Sequence, residues 1–204
     1  MKKIILSLAL IIASTTVFSQ VTVSPGIKAG FNLANLSNVD ESTAKLGLQG
    51  GLYVNLHLAR FYELQIETTY SNQGTTFEYS DFDSTYEEDL DLEYVSLNLA
   101  NKFFPVPDIG LNLIIGPSLD ILVNSAYYND ATPIDISFFG GIGYEFPFGL
   151  GLEVRYKQGI IDVRDDYYND YYYDDYDDNY YDNDSALNGV IQFGVTYKFD
   201  FSKM

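Results

Sequence analysis

The chain has 204 residues and a formal net charge of −18, with 29 Asp and Glu against 11 Lys and Arg. That balance excludes a nucleic-acid partner, whose phosphates demand a basic surface, and excludes simple attraction to anionic lipid. With no Cys there are no disulfides, thiolate metal sites or lipid-modified cysteines, and 19 Tyr and 14 Phe without Trp suit strands or interfacial aromatic girdles better than a helical bundle.

The first segment belongs to export. Lys2 and Lys3 give a positive start, Ile4 to Ala13 is almost wholly apolar, and small or polar residues follow to Ser19. This order predicts a signal peptide over 1–19, with Val17 and Ser19 acceptable before the cut. The apolar run is too short for the roughly 20 residues of a spanning helix. The mature part, 20–204, then keeps nine basic and all 29 acidic residues. No later stretch is uninterrupted enough for a spanning helix.

From residue 26 onward the hydrophobic period is two, which puts apolar side chains on one face of successive strands. The first is 26–35, with Ile27, Ala29, Phe31 and Leu33 on the apolar face. The second, 45–56, carries Leu46, Leu48, Leu52, Val54 and Leu56, and the third, 61–72, carries Tyr62, Leu64, Ile66 and Tyr70. Then come 94–104 with Val95, Leu97 and Leu99, and 108–123 with Ile109 through Ile121. The last three are 134–146 with Ile136, Phe138, Ile142 and Tyr144, 150–159 with Leu152, Val154 and Tyr156, and 187–201 with Ile191 through Phe199. Several of these eight strands reach ten residues, longer than a soluble strand needs and right for a tilted crossing of hydrocarbon.

Long connections at 36–44, 73–89, 124–133 and 162–186 alternate with short ones at 57–60, 105–107 and 147–149. That alternation, with an even strand count, predicts an all-β, eight-stranded antiparallel up-and-down transmembrane barrel in the outer membrane, both ends on its periplasmic side. The non-apolar face holds charges of both signs, and Glu67, Lys102, Glu153, Arg155 and Lys157 form the expected interior cluster. In so narrow a barrel they are expected to act as a structural ion-pair plug, with a selectivity lining as the alternative.

Segments spread over the mature chain carry a family resemblance. They are Gly-Ile-Lys-Ala-Gly-Phe-Asn-Leu-Ala-Asn (26–35), Tyr-Val-Ser-Leu-Asn-Leu-Ala-Asn-Lys-Phe-Phe (94–104) and Gly-Gly-Ile-Gly-Tyr-Glu-Phe (140–146). Leu-Glu-Val-Arg-Tyr-Lys-Gln-Gly (152–159) and Gly-Val-Thr-Tyr-Lys-Phe (194–199) complete the set. In this order they resemble the PorT-like outer-membrane β-barrel family, porin family proteins of Bacteroidota. The resemblance implies an eight-stranded barrel, in a family whose members mostly lack an assigned activity. Phe199 and Phe201 look like the aromatic closing strand read by barrel-assembly machinery.

The segment 162–184 is nearly all Asp, Tyr and Asn, with ten Asp. Its charges repel and little of it can bury, which predicts a solvated extracellular loop. Asp174, Asp175, Asp177, Asp178 and Asp182 are weak candidates for Ca²⁺, the one cofactor considered, because the EF-hand glycine and closing glutamate are missing. Tyr171, Tyr172, Tyr173, Tyr180 and Tyr181 offer amphipathic area for contact with an extracellular protein or glycan. The 73–89 loop repeats the theme, with Glu78, Asp81, Asp83, Glu87, Glu88 and Asp89 among Phe77, Tyr79, Phe82 and Tyr86.

No enzyme is expected. His57 is the only histidine and falls at a periplasmic turn, away from the acidic loops, and no glycine run forms a phosphate loop. The functional expectation is a structural scaffold in outer-membrane lipid that makes surface contacts through its acidic, tyrosine-rich loops. A narrow porin-like channel for small solutes or ions is the runner-up. A soluble periplasmic lipid-binding barrel is the third reading, and it requires the apolar face to point inward.

Overall fold

The computed structural model describes residues 21–37, 42–81, 84–126, 132–163 and 185–199. Eight strands follow one another in chain order: β1 Thr22–Leu36, β2 Ser42–Ala59, β3 Tyr62–Asp81 and β4 Ser84–Phe103, then β5 Leu111–Ala126, β6 Ile134–Glu145, β7 Leu150–Gly159 and β8 Asn188–Lys198. Each pairs antiparallel with its sequence neighbours, and β8 returns to β1, closing the barrel. Closure removes both edges, so every strand has a backbone partner on each side, as a crossing of hydrocarbon requires.

The period-two pattern resolves into an outside and an inside. Leu46, Leu48, Leu52, Ile115, Phe138 and Ile142 all point outward and are more than half exposed. Residues at alternate positions of the strands, among them Lys28, Gln49, Glu67, Asn98, Ser137 and Arg155, point inward and are buried. In water this arrangement would expose a continuous apolar belt; in a bilayer the belt meets lipid. The soluble lipid-binding alternative is thereby overturned, because its ligand cavity would need the apolar face turned to the lumen.

Some boundaries differ from the sequence reading. The described residues of 73–89 are strand and not loop: β3 runs on to Asp81 and β4 starts at Ser84, paired from Tyr62↔Phe103 to Asp81↔Ser84. Its acidic and aromatic residues alternate, and cross-strand pairing holds such a ribbon extended however polar it is. The stretch 108–110 is not strand but the end of a short 3-10 turn, Pro107–Ile109, closed by Gly110 at φ 86°. Pro107 lacks the N–H a strand ladder needs, and Gly110 supplies the left-handed conformation that lets β5 start. The described part of the last strand stops at Lys198, short of residue 201. The signal segment 1–19 and most of 162–184 lie outside the described residues.

Candidate functional site in the barrel lumen

The lumen is stratified, and each layer follows from which residue types occupy the inward positions. Short turns at 60–61, 104–110 and 146–149 mark the periplasmic end. There Glu145, at the end of β6, accepts hydrogen bonds from Lys102 Nζ (2.9 Å) and Lys198 Nζ (2.7 Å). Lys198 also reaches Glu63 at 2.8 Å, and Asn55 donates to the same carboxylate at 2.8 Å. His57 Nδ1 lies 3.0 Å from the other Glu63 oxygen. An ionised carboxylate only accepts, so the imidazole proton on that side belongs to Nδ1, leaving Nε2 turned away from the pair. Glu145, Lys198, Glu63, Asn55 and His57 floor a periplasm-facing cavity of about 500 Å³, whose walls include Thr22, Ser24, Phe146, Phe148 and Tyr197.

Above this floor lies the central network. Arg155 donates bidentately to Glu67, from Nη1 at 3.0 Å and Nη2 at 2.5 Å, and Nη2 also reaches Glu153 at 2.9 Å. Lys28 Nζ stands 2.5 Å from Glu153 and 3.4 Å from Glu67. Two cations and two anions therefore neutralise each other within side chains that are at most 3 % exposed. The guanidinium also sits over the Phe139 ring, 4.9 Å from its centroid, and Phe139 packs with Ala100 and Ile114. Gln65 and Asn98 add donors to Glu67 at 2.8 and 3.5 Å.

One step outward along β7, Lys157 pairs with Asp120 at 2.5 Å, and Asp120 also accepts from the Ser118 and Ser137 hydroxyls. Beside it runs an amide ladder: Asn32 and Gln73 both donate to Ser71 Oγ (2.8 and 2.9 Å), and Asn188 donates to Gln73 (2.6 Å). The outermost layer is apolar. Leu36, Leu90, Leu92, Tyr94 and Val163 are all buried against one another, with Leu122 packed on them. Val163 comes from the connection after β7, and backbone hydrogen bonds from Val163 N to Ala186 O and from Thr132 N to Val163 O hold it there.

Beyond the belt, Lys45 Nζ lies 2.8 Å from Asp91 at the outer rim. The hydrogen bond from Lys45, helped by one from Asn72, holds the Asp91 carboxyl below the usual carboxylate range despite partial desolvation.

The five charges singled out from the sequence all lie in the lumen, in three separate groups: Glu67, Glu153 and Arg155 at the centre, Lys102 on the periplasmic floor and Lys157 in the outer layer. Lys28, Asp120, Glu145, Lys198 and Glu63, which complete these groups, lie outside the expected cluster, although the same alternation puts each on the inward face. The apolar outer layer was missed because Leu90, Leu92 and Leu36 lie where period two would place polar residues. The aspartates 174, 175, 177, 178 and 182 and the tyrosines 171, 172, 173, 180 and 181 lie outside the described residues. Among the described residues no cluster of three or more His, Asp or Glu is arranged to hold a metal.

Comparison with known proteins is consistent with this architecture. No curated protein sequence matches the chain significantly. Among solved structures, the Neisserial surface protein A, NspA, has a TM-score of 0.51 at 12 % identity, covering 89 % of this chain and all of that one. That similarity concerns the fold alone. Ail, the attachment invasion locus protein of Yersinia pestis, crystallised with the heparin analogue sucrose octasulfate, has a TM-score of 0.46 at 11 % identity, covering 87 % of this chain and 99 % of that one. The family profile described as outer membrane protein beta-barrel domain matches residues 18–165, well over half the chain. With its closed eight-stranded barrel and lipid-facing belt, the chain belongs to the outer membrane protein beta-barrel domain family.

Proposed function

We propose that this protein is a sealed scaffold that holds acidic, tyrosine-rich segments at the cell surface for contact with an extracellular protein or glycan. The observation that carries the reading is the central network of Lys28, Glu67, Glu153 and Arg155, charge-neutral and buried across the lumen. Its ions are paired within the protein, and a permeating ion would have to break those pairs in a low-dielectric interior. The apolar layer of Leu36, Leu90, Leu92, Tyr94 and Val163 adds a second barrier without polar atoms to replace a hydration shell. A body closed in this way leaves the outer surface as the working part. The tyrosines 171–173, 180 and 181 are the contact residues of this reading, and export by a cleaved signal peptide over 1–19 and insertion by barrel-assembly machinery belong to it. PorT-like ancestry and a Ca²⁺ role for Asp174, Asp175, Asp177, Asp178 and Asp182 are subsidiary parts of the same proposal.

The test has two arms. Residues 20–204 refolded into a planar lipid bilayer, with heat-dependent gel mobility verifying the barrel, are expected to show no discrete conductance steps. Deletion of 165–184 is expected to abolish surface adhesion while leaving the barrel assembled. Stepwise conductance would instead favour a narrow ion pore, the second reading, which the continuous polar column from His57 to Asp120 supports.

A further inference from the structure

Among the described residues an apolar layer covers the lumen toward its outer end, and the 500 Å³ cavity is a cup that opens at the periplasmic end. Its size lies in the range of small-ligand sites. Its floor is electrostatically balanced: Glu63 and Glu145 are matched by Lys198, which lines the cavity, and by Lys102, buried just behind Glu145, each lysine within 2.9 Å of a carboxylate oxygen. A balanced floor has no net charge with which to hold an ion. It does have spare hydrogen-bonding capacity. Glu145 uses each oxygen once where each can accept about twice, and Lys198 uses two of its three protons. His57 Nε2 has no partner among the described residues, and neither do the hydroxyls of Thr22 and Ser24, which line the wall. The rim is aromatic: Phe146 and Phe148 stack with ring centroids 5.4 Å apart, and Tyr144 meets Phe146 edge-on at 4.8 Å.

Neutral net charge, mixed donors and acceptors at fixed positions, and aromatic faces at the entrance are complementary to one ligand chemistry. We propose that the periplasmic cup is a binding site for a neutral carbohydrate of one or two pyranose rings. Its hydroxyls would take up the spare valences of Glu145, His57, Ser24 and Thr22, and its C–H faces would lie on Phe146 and Phe148. A polyamine would meet the two lysines, and a polycarboxylate the two glutamates, so both are disfavoured against a polyol. The proposal is independent of the surface-contact role, because the cup opens on the opposite side of the membrane.

The test is saturation-transfer NMR on the full mature barrel in detergent micelles, with cellobiose, N,N′-diacetylchitobiose, spermidine and citrate as separate probes. Transfer to a disaccharide and none to spermidine or citrate is expected. A stronger response from diacetylchitobiose assigns the site to an amino-sugar glycan such as a wall polymer, and a stronger response from cellobiose to a plain hexose. His57→Trp, at a partly exposed position on the floor, fills the cup and is expected to abolish transfer. Ser24→Ala, which removes one hydroxyl without changing shape, is expected to weaken it while heat-dependent mobility stays normal. Absence of disaccharide transfer, unchanged transfer in His57→Trp, or preferential transfer to spermidine or citrate would each overturn the proposal.

Discussion

Replacing Arg155 by Met tests the central network most directly. The side chain is 1 % exposed, and the change deletes both bonds to Glu67, the bond to Glu153 and the contact with the Phe139 ring. Volume is largely kept, so the loss is electrostatic. The group Lys28, Glu67, Glu153 goes from neutral to one net negative charge in a buried place, which by the usual cost of orphaning a buried partner destabilises the barrel by about 3–5 kcal/mol. Adding Glu67→Gln restores neutrality, because Lys28 and Glu153 remain paired at 2.5 Å. The double variant is therefore expected to be more stable than Arg155→Met alone by about 1–3 kcal/mol, a coupling typical of groups in one network. Reversible urea unfolding in lipid vesicles, followed by tyrosine fluorescence and gel mobility, measures both differences. Arg155→Met within about 1 kcal/mol of the parent, or a double variant no better than the single, would refute the view that mutual neutralisation holds the lumen together.

Four further outcomes follow from the geometry. Gly26→Ala would place a Cβ 2.1 Å from the Tyr53 ring and 2.6 Å from the Tyr197 carbonyl oxygen. We expect a loss of about 1–3 kcal/mol from overpacking in the same unfolding assay, with part of it recovered when Tyr53→Ala is added. Leu52→Arg puts a charge on the lipid face at a residue 66 % exposed, and is expected to cost about 2–4 kcal/mol if the site is near the bilayer midplane. Leu92→Ala in the outer apolar layer is expected to cost about 2–5 kcal/mol as a buried cavity, measured by urea midpoint, without opening conductance while the ion-pair layer below is intact. Asp91 has a lowered carboxyl pKa in the folded state, so its pairing with Lys45 stabilises the fold above the unfolded carboxylate pKa and is lost as pH falls through the folded value. Asp91→Asn should then cost at most about 1 kcal/mol near neutral pH and nothing at pH 2, read from paired unfolding curves.

The architecture was legible in the sequence because two of its determinants are local. Alternation with period two fixes which side chains share a face, and turn residues such as Pro147 and Gly149 fix where a strand must stop, each without reference to distant parts of the chain. Turn length then revealed the up-and-down order. The same local rule failed where tertiary context took over. The segment 73–89 looks like a loop by polarity, yet pairing between β3 and β4 extends it, since a strand partner satisfies the backbone whatever the side chains are. Leu90 and Leu92 sit on the inward face where polar residues were expected, because at the outer mouth the lumen is covered by Val163 from a connection some seventy residues later.

Charge shows the same division. The alternation alone put Glu67, Glu153, Arg155, Lys102 and Lys157 on one face, which any strand with that pattern must do. It could not say that Arg155 would fork onto Glu67, 88 residues earlier, while Lys157 turned to Asp120 and Lys102 to Glu145. Partner choice depends on the relative stagger of strands around a closed circle, a property of the whole barrel that no single segment contains. The sequence by itself thus determined the strands, their faces and the charged character of the interior. Only closure decided which charges meet, where the lumen is apolar, and that a cavity opens at the periplasmic end.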